Sequence, residues 1–382
     1  MNQPPFSFIL NKERCDSVLQ IGDVILQQRK RLQITQETLA SYCNVSKASV
    51  SKWEKGLSYP DITLLPKISS YFDLTVDELL GYERYLSKEA IQTIYYEFAL
   101  RFGNEPFEHV FSEVEEQIKL YYHDPGFLLQ MSILMLNHHM LSENSPSILQ
   151  NINQCLERIR LVSEDVWVLR QANSLQATIA LMQADPKTTL DLLDGVIKPT
   201  IGDEIILATA HEQLGDQEEA MRVIQVMMYQ NIIQLVGSSP LYLRLSLSDP
   251  KAFDETLHRM NGLIELFALR KLHPHVCIQF YFAVAQCAAL SNNRELLYPY
   301  LREYVDLCVH DLFPFTLRGD EYFTLLEDWL NQLDLGTNAL RDTSIIKQSI
   351  IEMMNAPFFE PFSEDEEMQE LREKLQFGLE VF

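Results

Sequence analysis

The chain has no apolar run of roughly 18 or more residues among its 382, so no membrane-spanning helix is expected. Met1 to Asn11 lacks the basic start, apolar stretch and small-residue cleavage site of a secretory leader, and a cytoplasmic location is expected. The six cysteines (Cys15, Cys43, Cys155, Cys277, Cys287 and Cys308) form no CxxC pair, and no histidine pair stands at zinc spacing with them. In a cytosolic chain they are expected as small buried hydrophobes. Catalytic signatures are missing as well. There is no GxSxG, no HExxH, no GxxxxGK followed by Ser or Thr, and no GxGxxG. No catalytic residue, cofactor or metal is therefore expected. An enzyme would have to use less marked groups, such as His273-Pro274-His275, or His310-Asp311 with Asp320-Glu321 around a cation. His138-His139 sits in an otherwise apolar helical stretch and reads as packing.

Positive charge is scarce overall, with a net charge of −23, but it is not evenly scarce. Residues 1–83 hold 9 Lys+Arg and 10 Asp+Glu, a net of −1, and the remainder carries −22. Within 29–58 there are six basic residues, Arg29, Lys30, Arg31, Lys47, Lys52 and Lys55, against Glu37 and Glu54. A polyanion is attracted to this short stretch and repelled by the rest, which would orient the protein on a duplex.

What is present is helical periodicity. Apolar residues recur at three and four spacings nearly throughout, and β-branched alternation is scarce. The spacing predicts an all-α chain in four parts: a tail over 1–17, short helices over 18–83, longer paired helices over 84–319, and a helical cap over 320–382. In the paired region, Asp203–Met228 has small Ala208 and bulky His211 in a first helix, a Gly215-Asp216 turn, then Ala220, Ile224 and Met227. An offset of 31 finds Ala177 and Ala180, the turn Asp185-Pro186, then Leu190 and Leu193, with Pro199 closing the unit. A weaker copy runs from Val276 to Tyr304 with its turn near Asn292-Asn293. Leu128–His139 and Ser145–Arg160 have the hairpin spacing without the motif. The pattern resembles tetratricopeptide hairpins, which implies a helical solenoid whose end repeat needs a cap. An irregular helical bundle is the alternative.

The N-terminal part is more specific. Ile21, Val24, Ile25 and Leu32 have the spacing of a first helix. Thr35 is a good N-cap for a second over Gln36–Tyr42, with Leu39 and Ala40 inward. Cys43-Asn44-Val45 makes a turn in which Asn44 tolerates a left-handed backbone. Ser46 caps a third helix, Lys47–Lys55, which Gly56 ends. At 100° per residue, Lys47, Ala48, Ser51 and Lys52 share one face with Lys55 beneath, while Val50 and Trp53 point to the core.

These residues, with Pro60-Asp61 and Phe72–Gly81 behind them, closely resemble the DNA-binding domains of Cro/repressor-type regulators over about 60 residues. The resemblance implies a five-helix domain that reads double-stranded DNA and regulates transcription. It places Lys47, Ala48 and Lys52 at base-reading positions. Lysine can donate to guanine, and the alanine methyl can touch thymine. Ser46, Ser49, Ser51 and Gln36, near helix N-termini or on the same face, and Lys55 complete the expected contact set. Arg29 and Glu54 resemble a family ion pair joining the first and third helices.

Such domains read two half-sites as dimers, so the acidic helical part is expected to form a homodimer. The combination with tetratricopeptide-like repeats resembles regulators that sense short peptides. That resemblance implies Asn137, Asn173 and Asn231, with His211 and Tyr281, as candidate effector contacts. This chain is longer than typical members of that group and its repeats are more degenerate. The competing function is a protein-interaction scaffold or antitoxin-like protein in which DNA binding is secondary.

Overall fold

The computed structural model describes residues 20–82 and 85–380. The tail expected over 1–17, with Cys15, lies outside them, as does the domain boundary expected at 83–84. Among the described residues the chain is all-α, with one isolated β-bridge between Thr316 and Asn338. It falls into two compact units that part between Ser87 and Lys88.

The first unit holds α1 (Ile21–Arg31), α2 (Gln36–Cys43), α3 (Lys47–Glu54), α4 (Leu65–Phe72) and α5 (Val76–Leu80). Polar side chains punctuate it. Thr35 Oγ1 accepts from the Thr38 amide at 3.1 Å, and Ser46 Oγ from the Ser49 amide at 3.1 Å. Each satisfies an amide that the first helical turn leaves without an internal partner. Asn44 and Asp73 end α2 and α4 in the left-handed conformation at φ 59° and 56°. Thr75 and Glu78 cap α5 reciprocally. Ile21, Ile25, Leu39, Val50, Trp53, Ile68, Phe72 and Leu79 form the core. Leu32 does not join it. It lies past the end of α1 and is 45% exposed.

The second unit opens with two helical hairpins, α6 (Lys88–Phe102) with α7 (Phe107–Leu120) and α8 (Pro125–His138) with α9 (Ser145–Val162). Next come α10 (Val166–Met182) with α11 (Pro186–Leu192), and α12 (Asp203–Gln213) with α13 (Gln217–Leu245). Then follow α14 (Pro250–Leu266), α15 (Leu269–Leu272) and a last hairpin of α16 (Pro274–Leu290) and α17 (Arg294–His310). Short α18 (Glu327–Asn331), α19 (Thr343–Met353) and α20 (Glu366–Glu380) complete the chain, with α20 packed along α17.

Three of these hairpins share one turn. Ala184, Gly215 and Asn292 are left-handed at φ 58°, 83° and 52°. The next residue, Asp185, Asp216 or Asn293, caps the second helix with its side-chain oxygen. A left-handed residue followed by an Asx cap reverses the chain and satisfies an exposed helix end. The α8/α9 connection lacks this device, because Asn144 makes no side-chain cap bond.

Two features depart from a regular repeat. Helix α13 does not stop near Met228 but runs 29 residues to Leu245, through Pro240, and packs against α12, α14 and α16. The C-terminal segment returns to the start of the unit. Lys88 Nζ, Gln92 Nε2, Tyr96 Oη and Tyr95 Oη donate to the carbonyls of Asn331, Leu333, Leu335 and Leu340 at 3.2, 3.4, 2.5 and 3.0 Å. Phe323, Phe359, Leu371 and Leu375 share one apolar core with α13 to α17, so the segment expected as a cap is continuous with the body it covers.

Candidate nucleic-acid interface

Helix α3 stands on a buried floor. Val50 is fully buried and Trp53 is 5% exposed, and both face the core of the first unit. The opposite face is open. Ser46, Lys47, Ala48, Lys52 and Lys55 are exposed, while Ser49 and Ser51 are half-buried at its flanks. Small residues and flexible ammonium groups form its outer surface, so an α-helix bearing it could approach a groove without steric obstruction.

An ion pair fixes the base of this helix. Arg29 Nε and Nη2 on α1 donate to Glu54 Oε1 and Oε2 on α3 at 2.5 and 3.0 Å. Arg29 Nη1 also donates to the Ile34 carbonyl at 3.0 Å. Burial alone would raise the Glu54 carboxyl, but the bonds from Arg29 and Gln36 hold it below the ordinary carboxylate range. A bidentate fork of this kind constrains the angle between α1 and α3 as well as their separation.

The set expected from sequence divides by what each side chain already does. Gln36 Nε2 donates to Glu54 Oε2 at 2.7 Å, so its amide nitrogen is committed to the α1–α3 joint. The Ser46 and Ser49 hydroxyls lie 2.9 Å apart at the start of α3. Lys47 Nζ is 3.7 Å from Glu37 Oε2 with both side chains exposed, a surface pair worth little and easily exchanged. Lys52 and Lys55 extend outward on the same helix side.

Gly22 was not singled out by sequence reading, yet it sets the joint. A Cβ there would lie 2.1 Å from the Trp53 carbonyl oxygen, so α1 and α3 approach as closely as they do only because α1 has no side chain at that point. Its signal was a glycine inside an otherwise regular helical pattern.

The five residues expected to contact an effector each have a different local setting. Asn137 Nδ2 donates to Tyr95 Oη at 3.4 Å, and Asn231 Nδ2 to the Met227 carbonyl of its own helix at 2.8 Å. His211 Nδ1 is 3.7 Å from the Asp216 carboxylate at the hairpin turn. Tyr281 is buried beside an open groove of about 650 Å³ that Arg270, Tyr300 and Glu303 also line. Asn173 differs. Its Oδ1, and Nε2 of Gln171 two residues earlier, are buried without a partner among the described residues. The histidines set aside for metal chemistry have structural roles. His273 caps α16, and His275 lies within that helix beside Gln279 at 3.0 Å. Asp311 pairs with Arg270 at 3.1 Å.

Residues 25–79 match the family model described as helix-turn-helix, so the first unit is a helix-turn-helix domain of the Cro/repressor type. The HTH-type transcriptional activator BcrR of Enterococcus faecalis is 38% identical over 69 residues. That stretch is 18% of this chain and 34% of BcrR, so the chain spans about a third of the length of the curated relative it matches. Among solved structures, Bacillus thuringiensis PlcR in complex with a peptide and DNA aligns over 76% of this chain and 94% of its own. The identity is 15% and the TM-score 0.33. The apo form of the competence regulator ComR from Streptococcus vestibularis aligns over 83% and 98%, at 15% identity and a TM-score of 0.25.

Proposed function

We propose that this chain is a cytoplasmic, DNA-binding transcription regulator rather than an enzyme. It reads duplex DNA through α3 as a homodimer whose association is supplied by the acidic helical unit. The observation that carries this reading is the exposed basic face of Lys47, Lys52 and Lys55 on a helix whose other side is locked by Trp53, Val50 and the Arg29–Glu54 fork. Lys47, Ala48 and Lys52 face base edges in the major groove. Ser46, Ser49, Ser51, Gln36 and Lys55 meet phosphates around it. For Gln36, the second Nε2 hydrogen or the backbone amide makes that contact, because the other Nε2 hydrogen is held by Glu54.

Two copies read two half-sites about one helical turn apart, and the target has a two-fold symmetric sequence. Sequencing genomic fragments retained by the full-length protein tests this. A single recurrent, near-palindromic motif is expected. Retention with no shared motif would remove sequence-specific reading.

The helical unit also receives an effector in this proposal, and a short peptide is the class implied by the sequence resemblance. Of the five candidate residues, Asn173 supports this best, because its Oδ1 lacks a partner and a peptide amide could supply one. A reporter driven by the bound promoter, challenged with peptide fractions of culture filtrate, should respond in the wild type and less in Asn173→Ala. A flat response in both would remove the effector role.

A further inference from the structure

The stack of hairpins is interrupted in the middle of the second unit, and apolar chain is left uncovered there. The α10/α11 hairpin packs on α8 and α9, and the α12/α13 hairpin on α14 and α16, but the two have little packing against each other. Helix α11 buries no residue, and α12 buries only Ala208. Yet α12 carries Ile205, Ile206 and Leu207 in succession, 56%, 66% and 49% exposed. Three successive residues sweep about 200° of a helix, so α12 is apolar well beyond the side it packs with. A helix with that distribution is ordinarily enclosed. The connector between the hairpins adds Ile197 and Ile201, 97% and 84% exposed.

This concentration is local. Of 38 exposed large apolar residues among the described ones, 11 fall between Leu181 and Leu214, in less than a tenth of the chain. Each such side chain has roughly 60–120 Å² of apolar area to hide. At these exposures the stretch offers on the order of 700 Å², above the roughly 300–600 Å² of an ordinary monomer's largest patch and near the ~800 Å² each partner brings to a standard interface.

We infer that Leu181–Leu214 is the surface through which two copies of this chain associate, each packing its α12 and the preceding connector against the same elements of the other. The inference rests on the reading that the chain acts as a homodimer and adds where the contact lies. Charge argues for an apolar, self-complementary contact. Two bodies that each carry −22 beyond residue 83 repel, and this stretch itself holds six carboxylates against Lys187 and Lys198, so the attraction between copies comes from its apolar side chains and not from charge. One stretch meeting its own copy about a two-fold axis supplies both halves of the interface.

Sedimentation equilibrium of the full-length chain tests it, with the double variant Ile197→Glu/Ile206→Glu and, as a control, Leu57→Glu, which alters an exposed apolar residue of the first unit. The wild type and Leu57→Glu should dimerise alike. The double variant should dissociate at least about a hundredfold more readily, as expected for two hot-spot side chains, with an unchanged helical circular-dichroism spectrum because both sites are exposed. A double variant that dimerises like the wild type would overturn the location and leave the homodimer standing. Loss of the dimer in Leu57→Glu alone would also overturn it. A wild type that is monomeric both free and on its DNA site would overturn the homodimer reading itself.

Discussion

At the scale of single residues, two positions carry consequences that can be measured without knowing the DNA target. Gly22→Ala puts a methyl group 2.1 Å from the Trp53 carbonyl, which is backbone and can yield only if α1 and α3 separate. The substitution should lower the stability of the first unit by about 2–3 kcal/mol, as overpacking does, measurable by urea unfolding of the full-length chain followed at Trp53 in a Trp167→Phe/Trp329→Phe background. A change within experimental error would mean that the joint is looser than the geometry states.

His138 is fully buried on α8, stacked 4.6 Å from Phe102, and its Nδ1 bonds the Leu134 carbonyl at 2.7 Å. Burial pushes its imidazole down to about 4. The unfolded imidazole takes a proton near its ordinary 6.5, so between pH 6.5 and 4 the unfolded chain binds more protons than the folded one. Stability is complete above that window and falls by up to about 3 kcal/mol as pH drops through it. His138→Leu should reduce this part of a pH series of melting temperatures without abolishing it, because burial also pushes His273 down to about 4. An identical pH dependence in the variant would contradict the assignment.

At the scale of elements, the sequence states helix ends better than helix partners. Thr35, Ser46, Asp185, Asp216 and Asn293 each announce a terminus, because a cap is a local bond between a side chain and the amide three residues on, and Asn44 announces one through its tolerance of the left-handed backbone. The length of α13 was not legible. Pro240 suggests a break, and only packing against α14 and α16 carries the helix past it. The return of residues 331–341 onto α6 was equally hidden, since hydrogen bonds to carbonyls more than 230 positions away leave no periodic trace. On α3 the face pattern was readable because 100° per residue separates Lys47 and Lys52 from Val50 and Trp53. The commitment of Gln36 to Glu54 was not, since it depends on how two helices cross. The element-scale prediction concerns salt. If two copies of α3 and its flanks neutralise about six phosphates, affinity should fall on the order of a thousandfold between about 50 and 200 mM salt. An affinity independent of salt would contradict groove docking.

At the scale of the whole molecule, charge and surface divide the labour. The helix-turn-helix unit is nearly neutral, with a local excess of +4 over residues 29–58, while the helical unit is strongly acidic. The acidic body is repelled by DNA and the basic face is attracted, so the charge distribution favours one orientation on a duplex. The larger unit buries an extended core from α13 to α20 and leaves an apolar gap near its centre. Under the proposed function the small unit chooses the site, and the large one is proposed to bring two copies together and to receive the effector.

The central claim is that the exposed face of α3 reads DNA. A fluorescence anisotropy titration of the recovered site with the wild type and with Lys47→Ala/Lys52→Ala tests it most directly. The account predicts a loss of affinity of about 10²-fold or more for the double variant, from two charged contacts at roughly 1–3 kcal/mol each per copy, with an unchanged thermal melt. Equal affinity of the two proteins for the same site would contradict it.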